Sequence, residues 1–215
     1  MTRIYLVRHG QTDWNAIGRI TTRTDRPLTA RGEVAARDLG RYLAADLRVR
    51  FDAAYTSPMI RAARTAELII GSMSQYAPVD PSHAAPIPEI TTEPRAVEVD
   101  AGPFEGWTEG MIAEDPGAQS WRAGEIIAGA EHDSDGALRA LSVLEDLAAL
   151  GGTILLVSHG HFIKLLIAHA VLDIPVGSSR TLKIHNTAPA IVETKPHGLA
   201  LTALNLVVPR YHDRS

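Results

Sequence analysis

The sequence predicts an α/β fold: a three-layer α/β/α sandwich with a mainly parallel sheet and a small helical cap. Two apolar runs of strand length, Ile4–Val7 and Thr153–Val157, are typical of buried parallel strands. Segments with helical periodicity alternate with such runs, which is the element order of an α/β sheet. Gly-Pro and Pro-Gly pairs interrupt the middle of the chain and predict short pieces there. We therefore expect one domain over residues 1–215, with the cap inserted at about 71–134.

The first quarter of the chain alternates predicted strands and helices. A strand is predicted at Arg3–Val7, and the polar residues 10–28 are expected to form a long loop of the kind that usually carries function. A helix begins near Thr29, where Thr precedes a stripe of apolar residues at helical spacing. A second strand is predicted at Ala53–Thr56, and a second helix runs from Pro58 to about Ile70.

The rest of the chain combines a poorly periodic stretch with a second set of regular elements. Residues 71–95 are expected to be a loop that encloses one short strand, and residues 96–134 to be short helical pieces. The later predictions are helices at Asp135–Leu150 and His161–Val171 and strands at Thr153–Val157, Arg180–Ile184, Ala190–Glu193 and Leu199–Asn205, the last two forming a hairpin around Pro196-His197-Gly198.

The amino-acid composition excludes several classes of protein and disfavours others. With 215 residues, 45% of them hydrophobic, the chain can bury a substantial core. The absence of cysteine excludes a disulfide scaffold, a thiolate zinc site and a cysteine nucleophile. A net charge of −4 does not favour nonspecific binding to nucleic acid or to anionic membranes. The first strand begins almost at once and no apolar stretch reaches about 18 residues, so we expect no signal peptide, no membrane span and a cytoplasmic protein.

The chain uses one short phrase twice. Leu6–Gly10 and Leu156–Gly160 both consist of two apolar residues, one polar residue, a histidine and a glycine. Each histidine would lie at the carboxyl end of a strand, where ligands bind in open α/β sheets. If the two strands are neighbours, His9 and His159 face each other across one site. The glycines are interpreted as room for a sharp turn or a closely approaching ligand.

Arg8 and His9 together are suited to phosphate chemistry. An arginine can bind phosphate or carboxylate through two hydrogen bonds. Its charge should also keep His9 neutral, and the neutral imidazole is the nucleophilic form. From these residues alone, a surface arginine beside a hydrogen-bonded histidine explains the tripeptide equally well.

Arg61 and Glu98 also have simpler interpretations when each is taken alone. Arg61 would be an arginine on a helix surface, paired with Glu67 or Asp52. Glu98 would be a solvated loop carboxylate. Apolar flanking residues, Ala96, Val97 and Val99, suggest instead surroundings that keep its carboxyl group protonated and able to act as an acid.

Five motifs occur in a fixed order along the chain. They are Arg8–Asn15, Asp25–Thr29 with Gly32, Ser57–Ala62 with Thr65–Glu67, Glu98–Trp107, and Ser158–His161. This set resembles the histidine phosphatase superfamily, the phosphoglycerate-mutase-like enzymes, and in particular its phosphatase branch. The resemblance covers residues 3 to about 170.

The resemblance implies an activity and a set of site residues. The expected enzyme is a phosphoric monoester hydrolase of the histidine acid phosphatase type, independent of metal and cofactor. It would act on a small phosphorylated metabolite and release inorganic phosphate. The resemblance assigns His9 as the nucleophile that becomes phosphohistidine, Glu98 as the proton donor, Arg8, Asn15 and Arg61 as ligands of the phosphoryl oxygens, His159 as the second histidine on the phosphate, and the Gly160 amide as a further contact.

Two segments depart from the family pattern. Thr21-Thr22 stands where relatives have Gln-Gly or Ser-Gly, and we expect a hydroxyl of Thr21 or Thr22 to contact the substrate instead. Ala130-Glu131-His132 stands where many relatives have Gly-Glu-Ser. The substrate is therefore not determined by the sequence.

Several alternatives stay open. A phosphoglycerate mutase would transfer the same phosphoryl group within one substrate, although mutase relatives are usually longer. A non-catalytic module would bind a phosphorylated ligand on the same fold. His159 and His161 could instead form a metal-binding pair, which would require further ligands and a larger barrel. Monomer and homodimer are equally compatible with the sequence. The remaining histidines are interpreted as structural or surface residues: His83, His132, His169, His185, His197 and His212.

Overall fold

A six-stranded mixed sheet forms the centre of the protein. The computed structural model describes residues 1–76 and 87–211, so His83 and His212 lie outside the described residues. The strands are β1 (Thr2–Arg8), β2 (Ala53–Thr56), β3 (Ile90–Thr92), β4 (Gly152–Ser158), β5 (Ala190–Lys195) and β6 (Gly198–Ala203). Their order in the sheet is β3-β2-β4-β1-β5-β6. The first four strands of that order are parallel, while β5 and β6 are antiparallel additions, which confirms the mainly parallel sheet.

Helices cover both faces of this sheet. They are α1 (Asp13–Ala16), α2 (Ala30–Arg41), α3 (Ile60–Tyr76), α4 (Glu109–Glu114), α5 (Pro116–Ala123), α6 (Asp133–Ala149) and α7 (Gly160–Leu165). Both α2 and α7 continue into short π-helical segments, at Tyr42–Asp46 and Leu166–Val171. The described chain also contains short 3-10 segments at Pro94–Ala96, Gly102–Phe104 and Val176–Thr181. None of the described helices is long and apolar enough to cross a membrane.

The apolar runs in the sequence are explained by burial on both faces of β1 and β4. In β1, Ile4 and Leu6 belong to the core layer that α6 and α7 complete. Tyr5 and Val7, which alternate with them along the strand, belong to the opposite layer, against α2 and α3. A strand covered on both sides needs apolar residues at every position, so it shows no polar alternation.

Residues 96–134, predicted to carry the cap, have an apolar cluster separate from these two layers. Phe104, Ile112 and Trp121 pack together there with two alanines. The rings of Phe104 and Trp121 lie 5.1 Å apart between centroids. This cluster gives α4 and α5 a core of their own.

The structure corrects several predicted boundaries. Residues 10–28 are not loop throughout, because a capping box between Thr12 and Asn15 starts the short helix α1. Helix α3 continues to Tyr76, so residues 71–76 are helical and not loop as predicted. Helix α6 begins two residues early, at Asp133, because the His132 side chain caps it.

The predicted strand at Arg180–Ile184 is wrong. Residues 176–181 form a 3-10 segment, and the Arg180 guanidinium makes two hydrogen bonds of 3.0 Å to Asp133. Arg180 is thereby held next to α6 and does not join a ladder. The predicted hairpin of β5 and β6 is confirmed, although β6 ends at Ala203.

Candidate active site

The two histidine phrases meet in the sheet as the sequence predicted. Strands β1 and β4 are parallel neighbours, with Arg8 opposite Ser158. The His9 amide donates to the Ser158 carbonyl at 2.9 Å. The rings of His9 and His159 are in edge contact, 5.2 Å apart between centroids. One site at the carboxyl ends of these strands therefore contains both imidazoles.

The contacts of His9 define which of its nitrogens is reactive. Its Nδ1 lies 2.8 Å from the Gly10 carbonyl, which can only accept, so Nδ1 carries the proton. Nε2 then keeps its lone pair. Burial and the charges of Arg8 and Arg61 hold the pKa of His9 well below its ordinary value. A neutral imidazole with an available Nε2 is a nucleophile across the neutral pH range.

His159 is held by the opposite nitrogen. Its Nε2 lies 2.8 Å from Oγ of the buried Ser57. Its Nδ1 is buried and has no hydrogen-bond partner among the described residues. Burial, followed by His9 and Arg61, keeps the pKa of His159 well below its ordinary value. When the Ser57 hydroxyl donates to Nε2, Nδ1 becomes an N–H donor for an anionic ligand.

Arg61 is a buried group of the site, and its interpretation as a surface arginine is wrong. Its side chain has 0% exposure and donates to the carbonyls of Thr22 and Thr24, at 2.9 and 3.1 Å. The suggested acidic partners are engaged elsewhere. Glu67 pairs with Arg64, and Asp52 accepts from the Thr153 amide.

Glu105 holds the segment that positions Arg61. Its carboxylate accepts hydrogen bonds from the amides of Thr22 and Thr24. It also accepts from the Thr22 hydroxyl. Thr22 and Thr24, whose carbonyls bind Arg61, are therefore held in place by Glu105, a residue of the Glu98–Trp107 motif.

The glycines after the two histidines make room for protein groups. A Cβ on Gly160 would lie 3.2 Å from Nε of Arg8, and one on Gly10 would lie 2.8 Å from the Gly32 carbonyl oxygen. Arg8 also donates from NH1 to the Ile184 carbonyl at 2.9 Å. Neither glycine has a positive φ, so the structure supports close approach, here by protein groups, as the reason for glycine at both positions.

Three buried nitrogens next to His9 have no partner within residues 1–76 and 87–211. They are Nε of Arg8, Nε of Arg61 and Nδ1 of His159. Buried polar groups are nearly always hydrogen-bonded, so three such nitrogens in one place need a ligand. Two of them belong to guanidinium groups, and all three can donate. The arrangement matches a bound oxyanion with several oxygens, such as a phosphoryl group.

The Glu98 carboxylate lies against the N-terminus of α7, where backbone amides surround it, and not in apolar surroundings. Its side chain is 8% exposed. Oε1 accepts from the amides of Val99 and Phe162, at 3.0 and 2.9 Å, and Oε2 accepts from the His161 amide at 3.0 Å. The expectation based on its apolar sequence neighbours is therefore wrong, because the chain folds these backbone donors around the carboxylate.

A cleft of about 500 Å³ opens over His9. The predicted residues that line it are Arg8, His9, Asn15, Thr21, Thr22, Glu98 and Gly160. Asn15 also caps α1, accepting at Oδ1 from the Thr12 amide at 3.2 Å. The Thr22 hydroxyl is engaged by Glu105, whereas the Thr21 hydroxyl makes only a 3.4 Å contact with the Arg19 carbonyl. Of the two hydroxyls, that of Thr21 is the freer to meet a substrate.

Several residues of the site were not predicted. Ser57 orients His159, and Asn186 donates to the His9 carbonyl at 2.7 Å. Ser57 directly follows β2, so its place at the carboxyl edge of the sheet was a usable signal. Asn186 comes after Arg180–Ile184, which is not a strand in the structure, so no strand end marked its position. His185, interpreted as structural, lines the cleft.

The two histidines of the His159-Gly160-His161 run have separate partners. His161 Nε2 lies 3.0 Å from Asp133 Oδ1, while His159 contacts Ser57. No group of three or more His, Asp or Glu side chains suited to a metal ion occurs in the described part of the chain. The geometry therefore gives the metal-pair alternative no support.

Fold and site together define a phosphatase or phosphoryl-transfer enzyme, and comparisons with known proteins identify the family. The family model of the histidine phosphatase superfamily (branch 1) matches residues 4–207. The chain belongs to this superfamily.

Similar proteins include both phosphatases and a protein named as a mutase. A "Probable phosphoglycerate mutase GpmB" of Salmonella paratyphi A is 32% identical over 196 residues, covering 86% of this chain and 82% of the relative. The structure of Bacillus stearothermophilus YhfR is 30% identical with a TM-score of 0.81, covering 96% of this chain and 98% of that one. Phosphoserine phosphatase from Entamoeba histolytica, in complex with 3-phosphoglyceric acid, is 26% identical with a TM-score of 0.80 and the same coverage.

Proposed function

We propose that this protein is a metal-independent phosphomonoesterase that acts through a phosphohistidine at His9. The observation that carries the proposal is the pairing of a neutral imidazole, whose Nε2 is available, with three unpartnered buried nitrogens beside it. Phosphoryl transfer requires in-line positioning and positive charge around the phosphoryl oxygens, and little else. Arg8, Arg61 and His159 supply that charge and those donors from the chain itself.

In the first step, His9 Nε2 attacks phosphorus and the bond to the ester oxygen breaks. Arg8, Arg61 and the His159 Nδ1–H donate to the phosphoryl oxygens, with Asn15 and the Gly160 amide as further ligands. Glu98 gives its proton to the departing alkoxide, which leaves as a neutral alcohol.

In the second step, water replaces His9 on phosphorus. The Glu98 carboxylate, having lost its proton in the first step, accepts one from the attacking water. The bond between phosphorus and Nε2 breaks, inorganic phosphate leaves and His9 returns to its neutral form. Glu98 thus acts as the acid in the first step and as the base in the second, while His9 is first the nucleophile and then the leaving group.

A mutase would share the first step and differ in the acceptor, which would be a second hydroxyl of the bound substrate. The name of the Salmonella relative favours this alternative. The similarity to the Entamoeba phosphoserine phosphatase, with a TM-score of 0.80 over 96% of this chain, favours the phosphatase. The substrate in either case would be a small phosphorylated metabolite.

The test measures phosphate release from a panel of phosphomonoesters, with EDTA present, for wild type and His9→Ala. We expect release that survives EDTA and vanishes in the variant. A faster appearance of isomerised phosphoglycerate than of free phosphate would identify a mutase. Phosphate binding without release, and without trapping of phosphohistidine after an alkaline quench, would identify a binding module.

Glu98→Gln tests the acid role through the leaving group. The variant should lose about 10²–10⁴-fold in kcat for alkyl phosphates, because an alkoxide cannot leave unprotonated. The loss should be much smaller for p-nitrophenyl phosphate, whose leaving group is a weak base. Equal losses on both substrates would contradict the acid role while leaving the role of His9 intact.

A further inference from the structure

The cleft over His9 is positively charged although the chain as a whole carries −4. Its lining includes five Arg and Lys side chains, namely Arg8, Arg19, Arg122, Lys164 and Lys183. Only two carboxylates, Glu98 and Glu109, oppose them in the lining. Lysine is rare in this sequence, yet two of its three lysines are here. The positive charge is therefore concentrated at the site.

The phosphoryl group accounts for only part of this charge. A phosphomonoester is close to a dianion at neutral pH, and the two positive charges beside it are those of Arg8 and of Arg61, the second of which also lies 3.5 Å from the Asp25 carboxylate. Arg122 forms an ion pair with Glu109 and lies over the Trp121 ring at 5.5 Å. Arg19 lies over the Trp14 ring at 5.8 Å, and neither it nor Lys164 nor Lys183 forms an ion pair in the segments that the structure describes. Three positive charges, two of them lysines, remain for something other than the phosphoryl group.

Lys164 is the more informative of the two because it is half-buried. It follows Gly160 by one helical turn on α7, so its stem lies along the wall of the cleft. Burial lowers the pKa of its ammonium, and the charge of Arg8 lowers it further, while Glu98 opposes the shift. A partly desolvated ammonium among other cations is unfavourable unless an anion joins it. Groups with such perturbed titration in a cleft are often functional.

We propose that Lys164, with Lys183 at the exposed rim, forms a second anion-binding position, so that the substrate is a phosphomonoester bearing a further anionic group. That group, a carboxylate or a second phosphate, lies on the alcohol that leaves. This inference rests on the proposed function, because it assigns the phosphoryl group to the position beside His9.

Three phosphate esters on one three-carbon frame test the inference. Glycerol 3-phosphate has a hydroxymethyl group where 3-phosphoglycerate has a carboxylate and glycerol 1,3-bisphosphate a second phosphate. Wild type should give a kcat/KM at least 10-fold higher for one of the charged esters than for glycerol 3-phosphate. The ester that gains more identifies the anion as carboxylate or phosphate. Equal rates for all three would overturn the inference while leaving the phosphatase intact.

Lys164→Met removes the charge and keeps the apolar stem. It should lower kcat/KM for the preferred charged ester about 10- to 100-fold more than for glycerol 3-phosphate, as expected for one charge-assisted contact. The loss should fall mainly on KM, and Lys164→Arg should restore most of it. Lys195→Met is the matched control, because Lys195 lies on β5 and pairs with Glu193, and its rates should equal wild type.

Two outcomes separate the inference from the proposed function. If Lys164→Met lowers kcat/KM by the same factor for all three esters, or leaves it unchanged for all three, the second anion position is excluded. Hydrolysis through His9 stands in either case. If wild type hydrolyses none of the esters and no p-nitrophenyl phosphate, both proposals are wrong.

Discussion

His9 and His159 hold the fourth position of the same five-residue phrase at the ends of adjacent strands, yet they use opposite ring nitrogens. His9 is fixed through Nδ1 by the Gly10 carbonyl, whereas His159 is fixed through Nε2 by Ser57. The first arrangement frees Nε2 for attack, and the second leaves Nδ1 as a donor. The difference teaches that a strand-end phrase positions an imidazole, while its hydrogen-bond partner decides its chemistry.

Sheet order explains why the two partners differ. Strand β4 lies between β1 and β2, so the histidine after β4 has the end of β2, and therefore Ser57, beside it. Strand β1 has β4 on one side and the antiparallel β5 on the other. The residue near His9 on that side is Asn186, which binds its carbonyl and not its ring.

The sharpest way to break this comparison is to remove each histidine in turn. His9→Ala should lower kcat by about 10⁴-fold or more and abolish covalent labelling, because the nucleophile is lost. His159→Ala should slow turnover yet still form phosphohistidine, since it removes a donor only. Rapid alkaline quench with a labelled substrate measures both quantities.

Folding of the two variants is checked by thermal unfolding, which must stay cooperative for the rates to be compared. Covalent labelling that persists in His9→Ala and disappears in His159→Ala would reverse the assignment of the two histidines.

The contact between Ser57 and His159 is the next most sensitive point. Ser57→Ala should reduce kcat about 10- to 100-fold, because the His159 ring loses the partner that selects its tautomer and orientation. Ser57→Thr keeps the hydroxyl and should recover most of the activity, with KM changed less than kcat in both variants. Ser142→Ala, which removes a hydroxyl bound to Arg95 away from the cleft, is a matched control. A Thr variant as slow as the Ala variant would argue against this positioning role.

The smallest effect concerns the pH dependence of stability, in which the two histidines should behave alike. Burial holds the pKa of both well below the ordinary 6.5, so the folded protein binds fewer protons at these two residues than the unfolded chain does as the pH falls through 6.5. The free energy of unfolding should therefore be lower at pH 5.5 than at pH 7.5. Proton uptake by the unfolded chain limits the contribution of each histidine over this interval to at most about 1.4 kcal/mol.

Urea unfolding at these two pH values, for wild type, His9→Gln and His159→Gln, measures this contribution. Each variant should lose less stability than wild type on acidification. A variant that loses as much as wild type would mean that its histidine is protonated in the folded state.

Local sequence sufficed for the strands and for the meeting of the two histidines. Strands β1, β2 and β4 were predicted to within one residue at each end, because residues buried on both faces leave a continuous apolar run. The resemblance to the histidine phosphatase superfamily, and not local pattern, assigned Arg61 and Glu98 to the site of His9 and His159. The segment Arg180–Ile184 alternates polar and apolar residues towards its end as a strand does, and there the prediction was wrong, since residues 176–181 form a 3-10 segment.

What the sequence could not supply was the partner of each polar group. Two of the three donors to Glu98 come from α7, about sixty residues later in the chain, and the carbonyls that bind Arg61 come from a loop that Glu105 holds. Such contacts join residues far apart in sequence, so local pattern and spacing carry no record of them. Apolar periodicity places strands and histidines because burial acts on each residue separately. Hydrogen-bond partners, and with them the reactive nitrogen, are set only when distant segments are brought together by the fold.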